Sequence, residues 1–103
     1  MSPRLHIDDD RLREFCARWR IIELALFGSV VRDDFGPDSD VDVLVSFASE
    51  ARWTLLDHVR MRGELMEMFG RGVDLVTRRA VERSPNYLRR REILGSAQVV
   101  YGS

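Results

Sequence analysis

Three short apolar or alternating stretches separated by helical patterns predict an α+β, α/β-like fold, a small three-stranded sheet with helices packed against it. The stretches are "IIELALF" at 21–27, "DVDVLVSF" at 40–47 and "VDLVT" at 73–77. Around them apolar residues recur at helical spacing, and Gly, Pro and Ser mark the breaks.

Residues 8–20 read as a helix. Leu12, Phe15, Cys16 and Trp19 fall at i, i+3, i+4 and i+7, and Asp8, Asp9 and Asp10 load its N-terminal end with negative charge. Cys16 lies on that stripe and reads as a small core hydrophobe, not a nucleophile. The run 21–27 reads as a strand buried on both faces, ending at Gly28-Ser29. Two turns of helix are expected from Ser29, an apt N-cap, until "GPDS" breaks the chain.

In 40–47, Val41, Val43, Val45 and Phe47 share one face, and Asp40, Asp42, Leu44 and Ser46 the other. A long helix is expected over 52–72. Leu56, Val59, Gly63, Met66 and Phe69 or Gly70 form its buried face, its Met residues are core filler, and Gly70 or Gly72 ends it. In 73–77, Val73 and Leu75 take one face, Asp74 and Val76 the other. Ser84 as N-cap and Pro85 at the first position open a last helix carrying Leu88, Leu94, Ala97 and Tyr101 inward.

The 103 residues are expected to form a single domain, 1–103, with one modest core. The chain is 45% hydrophobic and 32% charged, a globular mixture, and its net charge of −1 does not point to nucleic acid as a direct partner. All 16 basic residues are Arg, so no lysine is available for catalysis. Cys16 is the only cysteine, which rules out an internal disulfide and suits a cytoplasmic location. No apolar run approaches the roughly 20 residues of a membrane span, and the N-terminus lacks the apolar segment of a signal peptide, so no membrane partner is expected.

Asp40 and Asp42 stand two apart on a strand, with side chains on one face and Cα atoms about 7 Å apart. Asp74 joins them if the third strand lies beside the second. Three carboxylates converging on one spot resist joint ionisation. A divalent cation relieves that repulsion, and carboxylate oxygens are what Mg²⁺ prefers. Two such ions roughly 4 Å apart form the clamp used for in-line displacement at phosphorus. Mg²⁺ takes part of its shell from substrate phosphates, so phosphates need a holder nearby. Gly28-Ser29 fits: the glycine lets backbone come close, and the serine offers a hydroxyl, an N–H and the positive end of a short helix. Taken singly, a Gly-Ser turn or a lone Asp74 is weak evidence; their combination in this order carries the reading. A calcium loop starting at Asp38 fails, because its sixth and twelfth positions require Gly and Glu and hold Val43 and Ser49.

These residues carry a resemblance. "LFGSVVRDDFGPDSDVDVLVSF" resembles the signature of the polymerase β-like nucleotidyltransferase superfamily, a Gly-Ser followed by a D-x-D strand. More closely, the chain resembles the minimal nucleotidyltransferase (MNT) proteins, antitoxins paired with HEPN-domain ribonuclease toxins. The match takes in Gly28, Ser29, Arg32, Ser39, Asp40, Asp42 and Asp74 and extends to the closing "NYLRRREILGSAQVVYG". The residue after the arginine, commonly Gly in these proteins, is Asp33 here.

The resemblance implies a nucleotidyltransferase fold with a mixed three-stranded sheet, ATP as substrate with two Mg²⁺ ions, and a HEPN-domain toxin as partner in a heteromeric complex. It implies transfer of AMP to a tyrosine of that toxin, with pyrophosphate leaving. Carried over by position, Asp40 and Asp42 bridge both metals. Asp74 holds the metal that activates the acceptor hydroxyl. Gly28 and Ser29 bind the β- and γ-phosphates, and Arg32 and Ser39 complete the nucleotide-binding set. For Arg32, phosphate or partner contact is favoured over a structural ion pair with Asp33, Asp34 or Asp38.

Two other functions compete. A purely binding antitoxin would occlude its toxin with the site unused, and an unused carboxylate cluster costs stability. A small-molecule adenylyltransferase would need a second domain to grip its acceptor. Neither His6 nor His58 has metal-ligand spacing, and both are expected to face solvent. Arg89, Arg90 and Arg91 read as a solvated helix face, with an acidic partner surface or toxin-bound RNA as the functional alternative. Trp53 reads as core or interface.

Overall fold

The computed structural model describes residues 7–31, 36 and 39–102, and of Ser29 the backbone only. In chain order the elements are α1 (Asp9–Arg18), β1 (Ile21–Phe27), a 3₁₀ turn (Gly28–Val31), β2 (Val41–Phe47), α2 (Leu55–Phe69), β3 (Val73–Thr77), α3 (Arg78–Glu82), α4 (Tyr87–Ser96) and β4 (Gln98–Gly102). The sheet order is β3-β2-β1-β4. β1 runs antiparallel to β2 and β4, and β2 runs parallel to β3, so the sheet is mixed and the fold is α+β.

Strand periodicity sorts the side chains onto two faces. Leu24, Leu26, Val41, Val43, Val45, Val73 and Leu75 pack with Leu12, Phe15 and Cys16 of α1 and Met61, Leu65 and Phe69 of α2. On the other face Ala25, Phe27 and Leu44 pack with Val81 of α3 and Ile93 of α4. That second face is thinly apolar, and Asp42 and Asp74 belong to it by alternation.

Each helix has a local stop or start. Asp8 caps α1 by accepting from the Asp10 and Arg11 N–H groups. Thr54 and Asp57 form a reciprocal capping box on α2, which ends at Gly70 in the left-handed conformation, φ 68. β3 is a sheet edge, and α2 covers part of it. Arg62 Nε donates to Val73 O at 2.7 Å, and His58 Nε2 stands 3.1 Å from Leu75 O. His58 is therefore half-buried against the sheet, not solvent-facing as expected.

Several expectations need correction. Among the described residues the sheet has four strands, not three. Residues 98–102, read as the end of the last helix, form β4, because Ala97 turns extended and Val99 and Tyr101 pair with β1. Gly102 (φ 87) lies against the Ile22 carbonyl, where a Cβ would collide. The last helix starts at Asn86, whose side chain accepts from Arg89 N, and not at Ser84. On α2 the sheet takes the Met61–Leu65–Phe69 line, leaving Leu56 (59% exposed) and Val59 (55%) outward and Gly63 exposed. The apolar set on this helix is wider than one face, and spacing alone did not choose the line. A short α3, capped by Thr77, was not foreseen; five residues are too few for a helical period to register. After Gly28 the backbone makes one 3₁₀ turn; the rest of the expected two-turn helix lies outside the described residues.

Candidate active site

Register places the acidic residues. Asp42 on β2 pairs with Phe27 on β1 and with Asp74 on β3, so one row across three strands reads Phe27–Asp42–Asp74. Residues in one row of a sheet share a face. Asp42 and Asp74 line the same cleft, about 260 Å³, with Phe27, Gly28, Arg89, Glu92, Ile93 and Ser96. Its floor is the sheet and its wall is α4.

Gly28 has φ 73, and a Cβ built there would collide with Asp42 Oδ2. Only glycine allows the backbone to lie this close to the carboxylate in that conformation. The first turn after β1 and the D-x-D strand are thereby locked together. Asp40 lies one step before β2, exposed, on the alternation face of Asp42. A Cβ at Gly72 would collide with Asp40 Oδ1, so this carboxylate rests on the chain entering β3. Val41 N donates to Gly72 O at 2.9 Å and fixes that approach.

The structure therefore brings Gly28, Asp42 and Asp74 into one cleft, while Asp40, expected with them, rests on Gly72 and is not part of the lining. Among the described residues no three His, Cys, Asp or Glu side chains stand close enough to enclose a metal ion as placed. Ser39 lies away from the cleft lining. Its Oγ accepts from Gly36 N at 3.0 Å, and its N–H donates to Gly36 O at 3.1 Å, closing a turn. Arg71 Nη1 pins that turn through Gly36 O at 2.7 Å and Ser39 O at 3.2 Å. Ser29 contributes backbone to the 3₁₀ turn, and Arg32 lies outside the described residues.

Sequence reading missed three polar contributors to the wall. Arg89, Glu92 and Ser96 fall with Ile93 at i, i+3, i+7 and i+4 on α4, a stripe that becomes legible once the helix starts at Asn86. The arginine run is not one solvated face. Arg89 turns to the cleft, Arg90 Nη1 donates to Ser84 O at 2.8 Å with its guanidinium 5.5 Å from the Tyr87 ring, and Arg91 is exposed. Arg71 was also missed; its signal was its place between two glycines after the α2 cap. Trp53 packs at the rim of the first core, its ring 5.1 Å from Trp19 and 6.5 Å from Phe47.

The sequence profile of the nucleotidyltransferase domain matches residues 10–100. The chain belongs to the nucleotidyltransferase domain family. Among its relatives is the protein adenylyltransferase MntA of Thermococcus cleftensis, 36% identical over 70 residues, 68% of this chain and 69% of that one. A protein of Methanocaldococcus jannaschii named as a protein adenylyltransferase is 42% identical over 53 residues, 52% of this chain; the chain spans 55% of that relative's length. Two solved structures share the fold. A toxin–antitoxin structure with AMP-PNP superposes with TM-score 0.71 at 16% identity, covering 94% of this chain and 75% of that one. A tri-AMPylated Shewanella oneidensis HEPN toxin in complex with its MNT antitoxin gives TM-score 0.61 at 16% identity, covering 92% and 70%. Among the described residues no helix is long and apolar enough to cross a membrane.

Proposed function

We propose that this chain transfers AMP from ATP to a tyrosine hydroxyl of a HEPN-domain toxin and thereby acts as its antitoxin in the cytoplasm. The observation that carries the reading is the Asp42–Asp74 pair, side by side in parallel register and facing the cleft against which Gly28 lies. The names of the relatives agree with it, as does the AMPylated toxin held by a protein of this fold.

The donor set fits Mg²⁺: the acidic residues at the cleft offer carboxylate oxygens only. Asp42 and Asp74 would hold the ions, and Asp40 would complete the set by leaving Gly72. When bound, two ions would neutralise charge at the reacting phosphate. Gly28 and the Ser29 N–H lie at the start of the turn where β- and γ-phosphates would be received. Arg32 is assigned to phosphate or partner contact. Ser39, held in its turn with Gly36, would contribute by fixing the segment that carries Asp40. The tyrosine oxygen bonds to the α-phosphorus, the bond to the bridging oxygen breaks, and its electron pair leaves on pyrophosphate. The phenolic proton passes to Asp74 and on to water.

A cleft of about 260 Å³ lies below the roughly 300–1,000 Å³ of pockets that enclose a small ligand. An acceptor that brings its own surface, as a protein does, suits such a site, and complex formation then supplies proximity. The test is intact mass of the partner after incubation with this chain, ATP and Mg²⁺. Addition of one or more AMP units is expected, and none with an Asp40→Ala, Asp42→Ala variant. An unmodified partner whose toxicity is still blocked by that variant would favour occlusion instead.

A further inference from the structure

We infer that Arg89 binds the polyphosphate of the nucleotide and holds the pyrophosphate as it departs. Among the described residues lining the cleft, Arg89 is the one base, set with the carboxyl side chains of Asp42, Asp74 and Glu92. A polyphosphate brings several negative charges, and a cation on the cleft wall would attract it. A guanidinium presents planar, paired donors that match phosphate oxygens and stays charged at every relevant pH.

Arg89 is also available. Its backbone N–H caps onto Asn86, while its guanidinium makes no hydrogen bond or ion pair with any described residue. Neighbouring Arg90, by contrast, is tied to Ser84 O and the Tyr87 ring. The Arg89 side chain forms part of the lining of a second, smaller apolar hollow with Val76, Ala80 and Ile93, so its stem has a support from which the charged head can reach the cleft. Ile93, buried one turn further on, anchors that part of α4 to the sheet.

The inference rests on the proposed adenylyl transfer. In that step the tyrosine oxygen bonds to the α-phosphorus and the electron pair of the broken bond passes to the bridging oxygen. The phenolic proton goes to water through Asp74. Arg89 hydrogen bonds would strengthen as charge gathers on the departing pyrophosphate.

The test is calorimetric binding of α,β-methylene-ATP, which cannot be cleaved at the reacting bond, and of AMP, both with Mg²⁺. Wild type, Arg89→Ala, Arg89→Lys and Arg91→Ala chains are compared, with a thermal melt of each. Arg89 is exposed, so truncation leaves no cavity and the melts should coincide. Arg89→Ala should weaken the triphosphate analogue at least about tenfold, the scale of losing a hydrogen-bonded charge. Arg89→Lys should lose less, Arg91→Ala nothing, and AMP affinity should not change. Equal binding by wild type and Arg89→Ala, or equal losses for AMP and the analogue, would overturn the inference alone. A wild-type chain that binds no nucleotide would overturn both it and the proposed function.

Discussion

Asp42 meets three constraints at once: a strand register with Asp74, a backbone contact with Gly28, and a place in the cleft lining. Gly28→Ala tests the second. The substitution puts a side chain at φ 73 and into the carboxylate, so it should cost at least about 1–2 kcal/mol and strongly reduce AMP transfer. Gly70→Ala is the matched control. Gly70 has φ 68, but a Cβ there meets nothing within 4 Å, so chemical denaturation should show the strain while transfer persists. The shared face of Asp42 and Asp74 was legible because strand alternation fixes a face and each strand was short and unambiguous, whereas Asp40, outside the cleft lining, depends on the chain entering β3. Arg89 and Glu92 were not, because their meaning depends on how α4 turns over the sheet. Cys16 was read correctly as core. It is fully buried, and that burial pushes its thiol up to about 12, leaving it neutral and unreactive.

At the scale of elements, α2 shows what local signals decide. Thr54 and Asp57 start it and Gly70 ends it, all by chemistry within a few residues. The Thr54 backbone N–H, helped by the Thr54 hydroxyl, holds the Asp57 carboxyl below its ordinary value of 3.8. A carboxylate with a lowered pKa in the folded state stabilises fully above its unfolded value and less as pH falls through the folded one. The stability gap between wild type and Asp57→Asn should therefore be complete near neutral pH and close on acidification below 3.8, as read by denaturation at each pH. Thr54→Ala should cost about 1 kcal/mol. Which stripe of α2 packs was not local information, since the choice belongs to the sheet surface. β4 was hidden for a related reason. "AQVVYG" continues an apolar pattern that a helix can also satisfy, and it becomes a strand because β1 offers an open edge.

For the molecule as a whole, the order of helices and strands up to β3 was legible, and so was the shared face of the acids. The mixed sheet divides the work between its faces. One packs against α1 and α2 and supplies most of the core, and the other, under α3 and α4, leaves room for charged residues at one end. Within these 103 residues the two faces thus carry separate tasks, a core on one and the acidic cleft on the other. On the proposed function the partner positions the acceptor, so transfer to free tyrosine should be far weaker than transfer to the folded toxin.

The most direct measurement follows the phosphates separately. The chain and its partner are incubated with Mg²⁺ and ATP labelled at the α- or the γ-phosphate, and the label on partner tyrosine is counted for wild type and Asp42→Asn. α-Label on tyrosine is expected, with γ-label released in pyrophosphate and a loss of at least about 100-fold in the variant, the scale of removing one preorganised group at a reacting centre. Transfer of the γ-label, or undiminished transfer by Asp42→Asn, would contradict the proposed function.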